Sequence, residues 1–284
     1  LSRPYIEFIH SQFLPWRVGV LPAPRAALRV KVLSEDDVTG AASLIVEYPS
    51  DFASAEAGAM AADEEIFILG GKLEAGDIEL GPHDYAFWSA GRPLPELKSV
   101  GPTVALVFLS SAPTLIDAAE AEALYRADRT IERVATIDLP WDQSNMDPNI
   151  GHLQAWRKNL RLDPDGGART YLLTGLPHGF PADGRQPLER HPHIEEMFMV
   201  SGDMPCSKGV MRAGAYFWRP ENIWHGADCT LNGFMFLGRT PGSNKTISEW
   251  SETSHPVTYS PAHRPEVPAD LTAYGQPAVD PVTY

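Results

Sequence analysis

His191-Pro192-His193-Ile194-Glu195-Glu196, running directly into Met197-Phe198-Met199-Val200, is the stretch on which the reading of this chain turns. Side chains alternate between the two faces of an extended strand, so His191 and His193 are expected on one face. A carboxylate, Glu195 or Glu196, stands at the edge of the apolar run. A further histidine, His225, ends a later stretch that begins Tyr216-Phe217-Trp218. Neutral imidazoles with one carboxylate suit a divalent transition metal that keeps open coordination positions. A lone histidine is more often a satisfied polar residue, and His10, His152, His255 and His263 are read that way. His83, in a Gly-Pro-His-Asp turn, is read as structural.

Glycines punctuate this region. Gly184 precedes His191, and Gly202 in Ser201-Gly202-Asp203 is expected to close the first strand as a hairpin turn. Gly214, Pro220, Asn222 and His225 follow at fixed intervals. The series resembles the cupin superfamily, with its His-x-His, Glu, Gly motif and its later Gly-x5-Pro-x-Gly-x-x-His motif. Asn222 stands where glycine is usual, and Asn tolerates the left-handed turn glycine serves there. Glu196 is closer to His193 than is common in the family. It is preferred to its rival Glu195 because it aligns with the Glu that directly precedes the apolar strand in family members. The resemblance implies a small antiparallel jelly-roll barrel with a metal in its mouth, held by His191, His193, Glu196 and His225. The strings Leu162-Asp163-Pro164-Asp165-Gly166-Gly167, Gly214-Ala215-Tyr216-Phe217-Trp218-Arg219-Pro220 and Trp224-His225-Gly226 are similar to uncharacterised bacterial cupins related to the cupin part of zinc-binding anti-sigma factors.

An internal repeat sets the architecture. Asp63-Glu64-Glu65-Ile66-Phe67-Ile68 recurs as Ile194-Glu195-Glu196-Met197-Phe198-Met199, Tyr85-Ala86-Phe87-Trp88 as Ala215-Tyr216-Phe217-Trp218, and Leu14-Pro15-Trp16 as Leu139-Pro140-Trp141. With 284 residues available, the fold class expected is all-β, two tandem cupin barrels of the double-stranded β-helix or jelly-roll type with a short helix between them. The expected divisions are 1–135, an N-terminal cupin without metal-binding histidines, 136–252, a metal-binding cupin, and 253–284, a proline-rich tail. The tail's prolines exclude a central strand or helix. The helix is expected within 113–129, capped by Thr114 or Ser111. In the first copy His191 falls on Met60, His193 on Ala62 and His225 near Leu94-Pro95, while Glu196 keeps a counterpart in Glu65. One divalent metal per chain is therefore expected, with Fe(II) favoured and Mn, Zn or Ni as alternatives.

Phe198 shares the parity of Glu196 and is expected to line the pocket with Tyr216 and Trp218, while Met197, Met199 and Met211 pack elsewhere. His178 is placed near the pocket mouth and Trp224 at its rim, and Arg239 is a candidate to hold a carboxylate or enolate. Glu196, Trp224 and Arg239 are the residues expected to act in catalysis. Three function classes follow: an Fe(II) dioxygenase cleaving a small enolisable or phenolic substrate, a Zn, Mn or Ni lyase, isomerase or hydrolase, and a non-catalytic small-molecule binder or sensor. The formal charge of −14 without a basic run excludes a nucleic-acid partner. No apolar run reaches membrane-spanning length, the N-terminus does not read as a signal peptide, and Cys206 and Cys229 suit a reducing compartment, so a cytoplasmic protein is expected. A homodimer is expected from the packing habit of cupin sheets.

Overall fold

Short runs of β-branched and aromatic residues, stopped by Gly, Pro and Asp, form the antiparallel strands of two units. The computed structural model describes residues 3–55, 58–144, 146–179, 183–243 and 245–278. Residues 14–139 make the N-terminal unit; residues 3–13 join 140–284 in the C-terminal unit. The first strand therefore sits with the second barrel, not the first.

Each unit is built on a sheet of the same strand order. In the C-terminal unit the order is Ile6–His10, Ala215–Arg219, Glu195–Cys206, Phe234–Pro241, Ala168–Gly175 and Trp156–Leu162. In the N-terminal unit it is Ile131–Val134, Tyr85–Trp88, Glu64–Gly70, Thr103–Leu109, Ala42–Tyr48 and Arg29–Glu35. Both edge strands shortly precede a Leu-Pro-Trp, so the first strand of each sequence repeat is hydrogen-bonded into the other repeat's sheet. A smaller sheet of His225–Gly226, Arg185–Arg190 and Glu249–Pro256 completes the C-terminal unit.

Parity decides what each strand presents. Met197 and Met199 pack with Tyr171, Phe217, Phe234 and Phe236 in the C-terminal core. Glu195 shares their parity and faces the same side. Glu196, Phe198, Tyr216 and Trp218 alternate to the other face, so the last three do not line the barrel interior. The expected roles of the methionines and of Phe198 are thus exchanged.

Three local expectations change. Gly202 is no hairpin turn: the strand runs on to Cys206 before returning through Gly209–Arg212. A Cβ at Gly202 would lie 2.0 Å from the Gly233 carbonyl, so glycine is needed there for close approach, at φ +84°. The helix is Ala118–Leu124, capped by Asp117, because Leu115–Ile116 is spent in an extended pairing with Ala59–Met60. The strand Glu249–Pro256 carries the C-terminal unit past residue 252, and the following segment packs on its own unit through the Glu7–Glu266 bridge and His263 against Phe8. Residues 279–284 of the expected tail lie outside the described residues. Both cysteines are free and buried. No helix among the described residues is long and apolar enough to cross a membrane.

Packing also fixes a protonation state. His10 is fully buried, its Nδ1 donating to the Gln276 carbonyl at 3.2 Å and its Nε2 accepting from Arg212 N at 3.3 Å. Burial pushes its pKa down to about 4. The unfolded chain then binds a proton that the folded chain refuses between the unperturbed value of about 6.5 and that lower value. Stability from this group is complete above the window and falls by about 3 kcal/mol as pH drops through it. Urea unfolding followed from pH 7 to pH 4 should show wild type losing more stability than His10→Gln; parallel curves would refute the assignment.

Candidate metal centre

Glu189, His191 and His225 bring one carboxylate oxygen and two ring nitrogens within 4.8 Å of one another. The Arg185–Arg190 strand delivers Glu189, and His191 follows its last residue. His225 begins the two-residue strand paired to it, with Glu189 directly opposite. Asn222 takes φ +65°, as its place in the turn demands, and its N–H donates to the His191 carbonyl at 2.7 Å. The tautomers are set by the backbone. Nδ1 of His191 donates to the Ile247 carbonyl at 2.8 Å, and Nδ1 of His225 to the Ile223 carbonyl at 3.0 Å. Each Nε2 is left as a lone-pair donor facing the carboxylates, the arrangement metal-binding histidines use.

Glu195 is the second carboxylate at this place. Its oxygens lie 3.6 Å from His191 Nε2 and 3.4 Å from His225 Nε2; those of Glu189 lie 3.9 and 3.7 Å away. Ligand atoms each about 2.1 Å from one tetrahedral ion stand about 3.4 Å apart. Glu189, His191 and His225 are therefore grouped as a divalent metal would need, with Glu195, whose Oε2 is held by Arg219, beside them.

Glu196 is elsewhere. Its oxygens accept from Tyr216 Oη at 2.7 Å and Arg239 Nη1 at 2.6 Å, on the face away from the imidazoles. Arg239 is consumed by that pair. The same bond recurs in the N-terminal unit, where Tyr85 Oη donates to Glu65 at 2.7 Å. A contact kept in both repeats belongs to the architecture, and of the adjacent pair it is Glu195, not Glu196, that lies beside the imidazoles with Glu189. His193 stacks on His191, centroids 5.2 Å apart, but its Nδ1 donates to the Ile194 carbonyl and its Nε2 accepts from Ile247 N at 3.2 Å. The i, i+2 argument fails because residues 191–194 have left the strand. Trp224 is 40% exposed beneath the Arg190 guanidinium, and Trp218 lies under Arg3. His178 bonds its ring to the Leu176 carbonyl and meets His152 edge-on. None of these three borders the cavity over the imidazoles.

That cavity has a volume of about 610 Å³. Glu189, His191 and Glu195 form part of its wall with Tyr171, Leu173 and Met197. Arg219, buried, donates Nη1 to Glu195 at 2.7 Å and Nη2 to Glu7 at 2.5 Å, and its Nε also meets Glu7. Burial alone would raise the Glu195 carboxyl, but His191, Arg219 and His225 hold it at about 2. Burial first, then Arg219, pushes His225 down to about 3. Burial raises Glu189, with Glu195 adding repulsion. The sequence hid Glu7 and Arg219, since nothing local marks a partner two hundred residues away. Glu189 was missed as well: it is placed by its ladder pairing with His225, which one sequence does not display.

Comparison with known proteins places this geometry. The family described as a domain of unknown function, DUF4437, matches residues 15–246. The chain belongs to this family. No curated protein matches it. Among solved structures it is similar to a "putative dioxygenase" from Nostoc punctiforme, with 23% identity over 91% of this chain and 88% of that one and a TM-score of 0.71. It is also similar to hazelnut (Corylus avellana) vicilin, with 11% identity, coverage of 85% and 87%, and a TM-score of 0.53. A B. subtilis oxalate decarboxylase variant matches with 10% identity, coverage of 86% and 79%, and a TM-score of 0.51. At these identities the likeness is one of fold, and the fold is that of a bicupin.

The other copy of this DUF4437 chain has filled the equivalent place. Met60 and Glu64 occupy the repeat positions of His191 and Glu195. Arg25, buried, grips Glu64 through Nη1 at 2.5 Å and Nη2 at 3.1 Å and touches Met60 Sδ at 3.4 Å. The cavity beside them is about 10 Å³. Arg25→Met would strand the Glu64 carboxylate in the core and should cost about 3–5 kcal/mol in chemical unfolding. The double variant Arg25→Met, Glu64→Met should recover most of that loss. If the double variant is as unstable as the single one, the unpaired charge is not the cause.

Proposed function

We propose that this chain is a metal-dependent enzyme acting on a small organic molecule in its C-terminal barrel, with oxygen-dependent cleavage as its reaction. The observation carrying this reading is that both histidines turn Nε2 toward the carboxylates at ligand spacing, and that His191, Glu189 and Glu195 form part of the wall of a cavity of about 610 Å³. That volume is in the range of small-molecule sites. The description of the Nostoc protein as a "putative dioxygenase" supports the choice of reaction.

His191, His225, Glu189 and Glu195 are the residues that would hold the ion. Fe(II) there would supply an electrophilic centre with positions left for substrate and dioxygen. The chain does the rest. Ile247 and Ile223 orient the imidazoles through their carbonyls. Arg219 keeps Glu195 ionised, so its charge is available without a proton. Glu189 accepts from Ser248 Oγ at 3.0 Å, which fixes the direction of its carboxylate toward the imidazoles. Tyr171, Leu173 and Met197 exclude water from the wall.

Protein purified without added metal should carry one divalent ion per chain by mass spectrometry. His191→Ala and His225→Ala should abolish it, while Glu196→Gln should retain it. Two equivalents of similar affinity, or loss in Glu196→Gln alone, would overturn the ligand assignment. With Fe(II) the protein should consume dioxygen on a diketone, hydroxyketone or catechol. Manganese centres are described in an oxalate decarboxylase of the same fold. Anaerobic turnover with Mn(II) or Zn(II), and no oxygen uptake with Fe(II), would replace oxygen-dependent cleavage with Lewis-acid chemistry.

A further inference from the structure

The wall of the cavity beyond the imidazoles carries two guanidiniums that the metal centre does not use. Arg157, on Trp156–Leu162, and Arg169, on Ala168–Gly175, both border it and both sit over the ring of Tyr171, with Cζ 4.8 and 4.6 Å from its centroid. Tyr171 is fixed from behind: a Cβ on its ladder partner Gly238 would lie 2.6 Å from the ring's Cζ. Only glycine leaves room for the ring that seats both cations.

Neither guanidinium pairs with a carboxylate among the described residues. Arg169 is 6% exposed; its Nη2 donates to Thr246 Oγ1, and its Nε has no partner. The Nε of Arg157 is likewise buried without one. The acidic groups on the same cavity are engaged elsewhere. Asp142 accepts from Ser144 N and Oγ, Asp147 from Trp250 Nε1 and Asn149 N, Glu189 from Ser248 Oγ, and Glu195 from Arg219. Arg169 is a buried cation without a counter-charge, which is costly, and the half-buried Arg157, which also feels the Asp142 carboxylate, repels it over the same ring. Lys245 adds a third positive group on the wall.

We propose that the ligand of this cavity is an organic acid whose carboxylate is held by Arg157 and Arg169, with its other end toward His191 and Glu189. The proposal rests on reading the cavity as the substrate site. Guanidiniums match a carboxylate by paired hydrogen bonds. Leu173, Met197 and Ile150 supply an apolar middle, and the carboxylates at the imidazole end repel a second anionic group. The chemistry is a monocarboxylate carrying a neutral carbonyl or hydroxyl oxygen, not a polyanion.

Calorimetric titration of the full chain, as purified and after chelation, tests this with acetoacetate and 4-hydroxybenzoate against their amides, and with inorganic phosphate. At least one acid should bind about tenfold or more tightly than its amide. That preference should vanish in Arg169→Gln and in Arg157→Gln, two variants on separate strands, and survive in Lys98→Gln on the N-terminal unit. No acid binding at about 10 mM, equal binding of acid and amide, a preference that persists in both arginine variants, or phosphate binding as tightly as the acids would each overturn the proposal. Acid preference in protein that never binds metal would sustain this inference while the metal reading fails. A metal-loaded protein indifferent to charge would sink this inference alone.

Discussion

A guanidinium buried between two carboxylates needs both, and Arg219 is in that position. It holds Glu7 with two nitrogens and Glu195 with the third, all three side chains being buried. Removing either acid would leave an uncompensated charge in the interior, a loss on the order of 3–5 kcal/mol. Glu7 comes from Ile6–His10, Arg219 from the strand beside it, and Glu195 from the next. The row crosses three strands of one sheet, so the edge strand contributed by the start of the chain also sets the electrostatics beside His191 and His225. Glu195 stays ionised because Arg219 is there, and Arg219 is tolerable because Glu7 is there.

The two repeats show what that arrangement replaced, or was replaced by. Strand order and the Tyr–Glu bond at Glu65 and Glu196 are held in common. Where the C-terminal copy sets Arg219 opposite Glu195, the N-terminal copy sets Trp88 opposite Glu64, and that carboxylate is neutralised by Arg25 instead. One unit thus satisfies its interior carboxylate completely with a protein cation and closes its space to about 10 Å³. The other satisfies Glu195 on one side only and keeps about 610 Å³. A void of the smaller size holds at most one water. The division between a filled barrel and an open one follows from where the arginine enters.

The architecture was legible because it was written twice. The Glu-Glu pair before each apolar strand gave a frame that the sheets reproduce strand for strand, although Trp88 and Trp218 stand one ladder position apart within it. Asn222 was legible too, since few residues other than glycine accept a positive φ. Choosing between Glu195 and Glu196 was harder: adjacent residues on a strand face opposite sides, and a shift of one exchanges interior for exterior. The repeat held the answer in Glu65, whose Tyr85 partner identifies the structural carboxylate, but partnership across strands is not visible in one sequence. His193 misled for a different reason. Period-two reasoning assumes a continuing strand, and the backbone had already turned at His191-Pro192.

Most of the site is carried on ladders, where position is set by the sheet: Arg169 opposite Thr240, Tyr171 opposite Gly238, Glu195 opposite Arg219. One irregular stretch, residues 245–248, touches both ends of it. Lys245 lines the cavity, Thr246 accepts from Arg169, and the Ile247 peptide binds His191 through its carbonyl and His193 through its N–H. Ser248 donates to Glu189. The guanidinium end and the imidazole end of the cavity are therefore joined by four consecutive residues as well as by the sheet. A displacement of this segment cannot release Arg169 without also altering the tautomer constraint on His191 and the hydrogen bond to Glu189. Order at one end of the cavity is thereby order at the other: the Thr246 and Ser248 hydroxyls hold Arg169 and Glu189, and the Ile247 peptide between them holds the two imidazoles.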